Sequence, residues 1–68
     1  MRFELNGEPA EAPAGASVAD AVRISGADPG GRGLAVAISG EVVPRASWAD
    51  RKLAEGEHVE VVHAVQGG

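Results

Sequence analysis

The residues best suited to chemistry in this 68-residue chain are the last three, Gln66, Gly67 and Gly68. An apolar segment runs to Val65 directly before them, so we expect a short flexible tail that projects from a folded body. Glycine carries no Cβ and fits channels that exclude other residues, and three extended residues reach about 10 Å. We therefore expect the carboxylate of Gly68 to enter the active site of another protein.

A carboxylate presented in this way has a defined reactivity. It is ionised at neutral pH and can attack the α-phosphorus of ATP, which gives an acyl-adenylate. A sulfur nucleophile then converts the acyl-adenylate into a C-terminal thiocarboxylate. Because the chain contains no Cys, a partner must deliver the sulfur. We expect Gly68 to be the modified residue, and an inert frayed terminus is the alternative.

The body of the chain offers no assembled catalytic site. Residues 26–33 contain four Gly and one Pro, but they lack the Lys-Ser/Thr ending and the strand-to-helix context of a phosphate-binding loop. We interpret them as a flexible connection. His58 and His63 are five residues apart on one expected strand, so their side chains point to opposite faces and cannot share a metal. We therefore predict no metal, no bound cofactor and no catalytic residue in the enzyme sense.

Composition excludes several classes of partner. The net charge of −4 argues against nucleic acid and favours a basic partner surface. No apolar run approaches the roughly 20 residues that span a bilayer, so we expect no membrane association. The absence of Cys excludes a disulfide framework. We predict one small soluble cytoplasmic domain over residues 1–65, followed by the tail at 66–68.

The spacing of apolar residues predicts the elements that must position this tail. Alternation predicts half-buried strands, with a short edge strand where two prolines cannot donate ladder hydrogen bonds; these strands lie at 1–6, 8–14, 34–39, 41–43 and 58–65. Asn6-Gly7 and Ser39-Gly40 predict turns. Ser17 is the expected cap of a two-turn helix that ends near residues 24–26, with Asp20 in its first turn. The predicted class is α+β in the order β-β-α-β-β-β, a mixed sheet with one helix packed on one face. We expect Trp48 to fill one end of the core.

The face of the sheet without the helix is the expected partner surface. Alternation places four residues on it, opposite the buried valines of the same two strands: Ala35, Ala37, Glu60 and Val62. Small side chains with one exposed valine make a flat docking patch near the reactive end. Isolated exposed apolar residues are also common on ordinary surfaces.

The chain resembles a known family. The resemblance rests on five sequence features: Asn6-Gly7, the helix start at Ser17-Val18, the segment 35–45 that ends in Val-Pro-Arg, Trp48 three residues later, and Gly67-Gly68. Together they resemble the bacterial sulfur carrier proteins of thiamin biosynthesis over the whole chain. That family has the ubiquitin-like β-grasp fold.

The resemblance implies a cycle of partners. An E1-like adenylyltransferase, which uses ATP and magnesium, activates Gly68. A cysteine desulfurase route supplies sulfur as a persulfide, and thiazole synthase takes it from the thiocarboxylate. The chain is then a protein co-substrate and not an enzyme. Three alternatives stay open: the small subunit of molybdopterin synthase, a ubiquitin-like protein modifier, and a plain binding module.

Overall fold

The computed structural model describes residues 1–63, and these form a five-stranded mixed sheet with one helix. The elements are β1 (Arg2–Leu5), β2 (Glu8–Glu11), α1 (Val18–Ile24), β3 (Leu34–Ile38), β4 (Glu41–Val43), a 3-10 helix (Arg45–Ser47) and β5 (His58–His63). The strand order across the sheet is β2-β1-β5-β3-β4. Only β1 and β5 pair in parallel among the described strands. The predicted α+β class and element order are confirmed.

The core lies between α1 and one face of the sheet. It is built from side chains of modest size, and its fully buried valines are Val18, Val22, Val36 and Val59. Phe3 and Leu5 contribute from β1, as the alternation in the sequence predicts. No helix within residues 1–63 is long and apolar enough to cross a membrane.

The start of α1 is fixed by a reciprocal capping box. The Ser17 Oγ accepts a hydrogen bond from the Asp20 backbone N–H at 3.3 Å, and the Asp20 carboxylate accepts one from the Ser17 backbone N–H at 2.8 Å. This second hydrogen bond is the main reason that the pKa of Asp20 lies below its ordinary value. The predicted N-cap is confirmed, and it satisfies N–H groups that the first helical turn leaves without partners.

Both predicted turns are present and share one conformation. Asn6 and Gly7 have φ values of 51° and 83°, and Ser39 and Gly40 have the same pair of values. Two consecutive left-handed residues give the tight turn that matches strand twist. The Asn6 turn joins β1 to the edge strand β2, which carries Pro9 as expected.

Residues 44–53 have no regular period, and the structure shows why they still pack. Trp48 is 4% exposed, and its indole N–H donates to the Val43 carbonyl at 2.9 Å. Leu53 is also buried, and its backbone N–H donates to the Ala16 carbonyl. The predicted role of Trp48 as a core residue is confirmed.

Candidate functional site: the open sheet face and the last strand

The residues expected to react, Gln66, Gly67 and Gly68, lie outside the described residues 1–63. The structure does describe the strand that leads toward them. β5 occupies the centre of the sheet, between β1 and β3. A central strand is held on both edges, so the body presents its last described residues in a defined direction.

The structure brings the four predicted face residues together. Ala35 pairs with Val62, and Ala37 pairs with Glu60, across the antiparallel β3–β5 ladder. Directly opposed residues share one face and lie about 5 Å apart. This face is the one without α1, because the intervening Val36 and Val61 are buried in the core. Val62 is 53% exposed, which makes it the prominent apolar side chain of this group.

A fifth residue of this surface was missed from the sequence. Val42 of β4 pairs with Ala37 and is 71% exposed. The sequence does contain the information needed to predict this position, because a two-residue turn at Ser39-Gly40 places Val42 opposite Ala37. We call these five residues the open-face patch: Ala35, Ala37, Val42, Glu60 and Val62.

Charged groups continue the same face beyond the patch. Glu4 pairs with His58 across the β1–β5 ladder, and the Glu4 carboxylate lies 3.1 Å from the His58 Nδ1 atom. His63 pairs with Leu34 at the other end of β5, and its odd position puts it on the opposite face from His58. The two histidines therefore lie apart, as predicted.

Within residues 1–63 no group of three or more His, Asp or Glu side chains is placed to hold a metal.

Arg45 organises the glycine-rich segment near the end of β5. Its guanidinium donates to the Pro29 carbonyl and to the Gly31 carbonyl, each at 2.5 Å, and lies 4.5 Å from the centroid of the Trp48 ring. The segment ends where Leu34 begins β3, and Leu34 pairs with His63. The sequence predicts a flexible connection at residues 26–33, and the structure adds that the Arg45 side chain links this segment to Trp48 of the core.

The turn before β5 is held by an ion pair. The Arg51 guanidinium lies 2.8 Å from the Glu57 carboxylate, which also accepts a hydrogen bond from the Ala54 backbone N–H at 2.8 Å. The hydrogen bond from Arg51 is the main cause that lowers the pKa of Glu57, and the Ala54 N–H acts in the same direction. These contacts fix the start of the strand whose other end leads toward residues 66–68.

A mixed sheet in this order, with one helix across one face, defines a ubiquitin-like β-grasp protein. The ThiS family model matches residues 3–68, and the chain belongs to the ThiS family. Family membership supports a role as a sulfur carrier in thiamin biosynthesis.

A solved structure agrees with this assignment at the level of the fold. The thiamine biosynthesis protein ThiS from Geobacter metallireducens matches with a TM-score of 0.80 and 21% sequence identity, and the match covers 100% of both chains. At this identity the match shows the common fold. No curated protein gives a significant match to the sequence.

Proposed function

We propose that this chain carries sulfur as a thiocarboxylate on Gly68. A carboxylate oxygen of Gly68 attacks the α-phosphorus of ATP in an E1-like adenylyltransferase, and pyrophosphate leaves. Magnesium in that enzyme offsets the phosphate charge. A persulfide from a cysteine desulfurase route then displaces AMP to form an acyl disulfide. A thiol of the partner enzymes cleaves its S–S bond, which leaves the thiocarboxylate on Gly68 and a disulfide on the partner. The thiocarboxylate then donates its sulfur to thiazole synthase. The observation that carries this proposal is the family match, which extends through Gln66-Gly67-Gly68.

In this proposal the chain supplies presentation and recognition, while partner enzymes supply the catalysis. Residues 1–65 act as one compact body, and residues 66–68 act as the tail that enters the partner's active site. The open-face patch is the docking surface, since its residues lie on the strand that leads to the tail and on the neighbouring strands β3 and β4. Small side chains allow a partner to approach the sheet closely, and Val62 offers apolar area for burial.

Intact-mass measurement tests the reaction. The chain is incubated with ATP, magnesium, an E1-like adenylyltransferase, a cysteine desulfurase, cysteine and a thiol reductant. We expect a mass gain equal to the replacement of one oxygen by sulfur. Isopeptide-linked conjugates would instead identify a protein modifier, and an unchanged mass would identify a binding module. Sulfur transfer to a molybdopterin precursor and not to thiazole synthase would identify the sister pathway.

Two variants act as controls for the site of modification. Deletion of Gly68 should abolish the mass gain, because the carboxylate that remains, on Gly67, lies one residue short of the position that the partner activates. The addition of one residue after Gly68 should also abolish it, because the Gly68 carboxyl is then part of a peptide bond. The extended chain keeps every native residue, so it separates the loss of the reactive group from the loss of chain. Sulfur incorporation into the untrimmed extended chain would contradict the proposal.

A further inference from the structure

Asn6 has two structural roles, one through its backbone in a turn and one through its side chain in a hydrogen bond to β5. Its backbone has a φ of 51° in the turn between β1 and β2, a left-handed conformation that Asn tolerates better than most residues. Its side-chain Oδ1 accepts a hydrogen bond from the backbone N–H of Val61 at 2.8 Å, across 55 residues of sequence. The turn requires only the left-handed backbone, whereas the contact with β5 requires the side-chain oxygen.

The side chain takes the place of a missing strand neighbour. β1 and β5 pair in parallel up to Leu5 and Val59, and the Asn6 backbone N–H donates to the Val59 carbonyl at 2.9 Å. The chain then turns at Gly7 toward β2, so the β1 backbone no longer reaches β5. The Asn6 amide oxygen accepts the next N–H of β5, which is that of Val61, and so lengthens the ladder by one hydrogen bond.

The hydrogen bond from Val61 to Asn6 lies in the part of β5 that carries the open-face patch. Val61 is 7% exposed and lies between Glu60 and Val62 of the open-face patch. It also precedes Gly68 by seven residues. A bond on the Val61 N–H holds the edge of β5 that faces β1, while the β3 ladder holds the other edge. Both edges of β5 are therefore fixed beside Val62.

We infer that Asn6 is a positioning residue for the activation of Gly68. Its side chain fixes the second half of β5 against β1, so that Val62 meets the adenylating enzyme from one orientation. Without the bond, the enzyme must order this part of the strand on binding, which weakens association. The chemistry after binding stays the same. This inference rests on the proposed function and adds a residue that acts through β5 and does not touch the reacting atoms.

The substitution Asn6→Gly tests the inference, because Gly accepts the left-handed turn and removes only the side-chain acceptor. Asn6→Asp keeps both an acceptor oxygen and tolerance of the turn, and serves as the rescue variant. Ser39→Gly is the matched control. Ser39 occupies the equivalent turn position with the same φ of 51°, and its backbone N–H bonds His58 at the opposite end of β5.

Two readouts separate geometry from function. Amide hydrogen exchange at Val61 should become about tenfold faster in Asn6→Gly and stay close to the wild-type rate in Asn6→Asp and Ser39→Gly. In an adenylation assay that follows pyrophosphate release, the KM for the chain should rise about fivefold in Asn6→Gly, with kcat within about twofold, as expected for one hydrogen bond. Asn6→Asp should recover most of this loss, and Ser39→Gly should show none.

Several results would overturn the inference. Unchanged exchange at Val61 in Asn6→Gly would mean that the side chain does not hold β5. Faster exchange with an unchanged KM, or an equal rise in KM for Ser39→Gly, would mean that the hydrogen bond has no part in recognition. If the wild-type chain is not adenylated at all, the proposed function fails, and the exchange experiment still decides whether Asn6 fixes the strand.

Discussion

Arg45 shows how one side chain joins three parts of this molecule. Its guanidinium bonds the carbonyls of Pro29 and Gly31 and stacks on the ring of Trp48. The 3-10 helix brings Arg45 and Trp48 to one side, because residues three apart are aligned in that geometry. The Val-Pro-Arg-x-x-Trp sequence is thus a structural unit that connects the glycine-rich segment to the core.

We expect Arg45→Gln to loosen residues 26–33. The substitution removes charge-assisted bonds to two carbonyls and the contact with the ring, while the buried core is unchanged. Trypsin should then cleave after Arg32 several times faster, and the emission of the single Trp48 should shift. Arg23→Gln is the control, because it also removes one exposed arginine, whose partner is Asp20 on α1. Equal cleavage rates at Arg32 in both variants would contradict this role of Arg45.

The residue-scale features that sequence reasoning found are those with local partners. Ser17 and Asp20 are three residues apart, and the Asn6-Gly7 turn depends on adjacent residues, so pattern alone identified both. The Arg45 contacts span 14 and 16 residues, and the bond from Val61 to Asn6 spans 55. Such contacts depend on how the elements pack, and no sequence period indicates them.

At the scale of elements, β3 and β5 each have one face that packs in the core and one that belongs to the open-face patch. Alternation along both strands predicted which residues are buried and which lie on the open-face patch, and the ladder confirms it. Strand order was not predictable, because alternation specifies the faces of a strand but not its neighbours. The segment 44–53 was equally unpredictable, since backbone contacts such as that of the Ala19 N–H with the Trp48 carbonyl hold it.

The open-face patch leads to a prediction about partner binding. Val62→Asp places a charge on the surface that we propose the adenylating enzyme covers, and burial of an unpaired charge is costly. We expect a rise in KM of about tenfold or more for adenylation, with the melting temperature nearly unchanged because Val62 is half exposed. Ile24→Asp is the control, since Ile24 is 44% exposed on α1, away from the sheet face. Normal kinetics for Val62→Asp would remove the patch from the proposal.

At the scale of the whole molecule, the chain combines a small core with an acidic surface. The core is formed mostly by Ala and Val, with Phe3 and Trp48 as its aromatic members, and a domain of this length has little stability in reserve. Structural contacts lower the pKa of Asp20, which caps α1, and of Glu57, which binds Arg51 before β5. The stability of the body should therefore depend on pH through these two groups.

Acid should destabilise the protein, and the sign follows from the pKa values of these carboxyls. Bonds to Ser17 and to Arg51 hold the pKa of Asp20 and of Glu57 below their ordinary values in the folded state, so the unfolded chain binds protons first as pH falls. Their stabilisation is complete above the ordinary carboxyl pKa and disappears as pH falls through the folded values. We expect urea midpoints, followed by the fluorescence of Trp48, to be constant above the ordinary carboxyl pKa of about 4 and to fall as pH is lowered from there through the lowered pKa values of the folded state.

The substitution Glu57→Gln isolates one of these groups. It should lower the urea midpoint near neutral pH, because the ion pair with Arg51 and the charge-assisted bond from Ala54 are weakened. The difference from wild type should shrink as pH falls through the lowered pKa of the native Glu57 carboxyl, because the wild-type side chain is then protonated as well. Glu8→Gln makes the same change of charge at an exposed position of the edge strand β2 and should keep the wild-type slope. Parallel pH profiles for wild type and Glu57→Gln would show that the ion pair before β5 does not stabilise the fold.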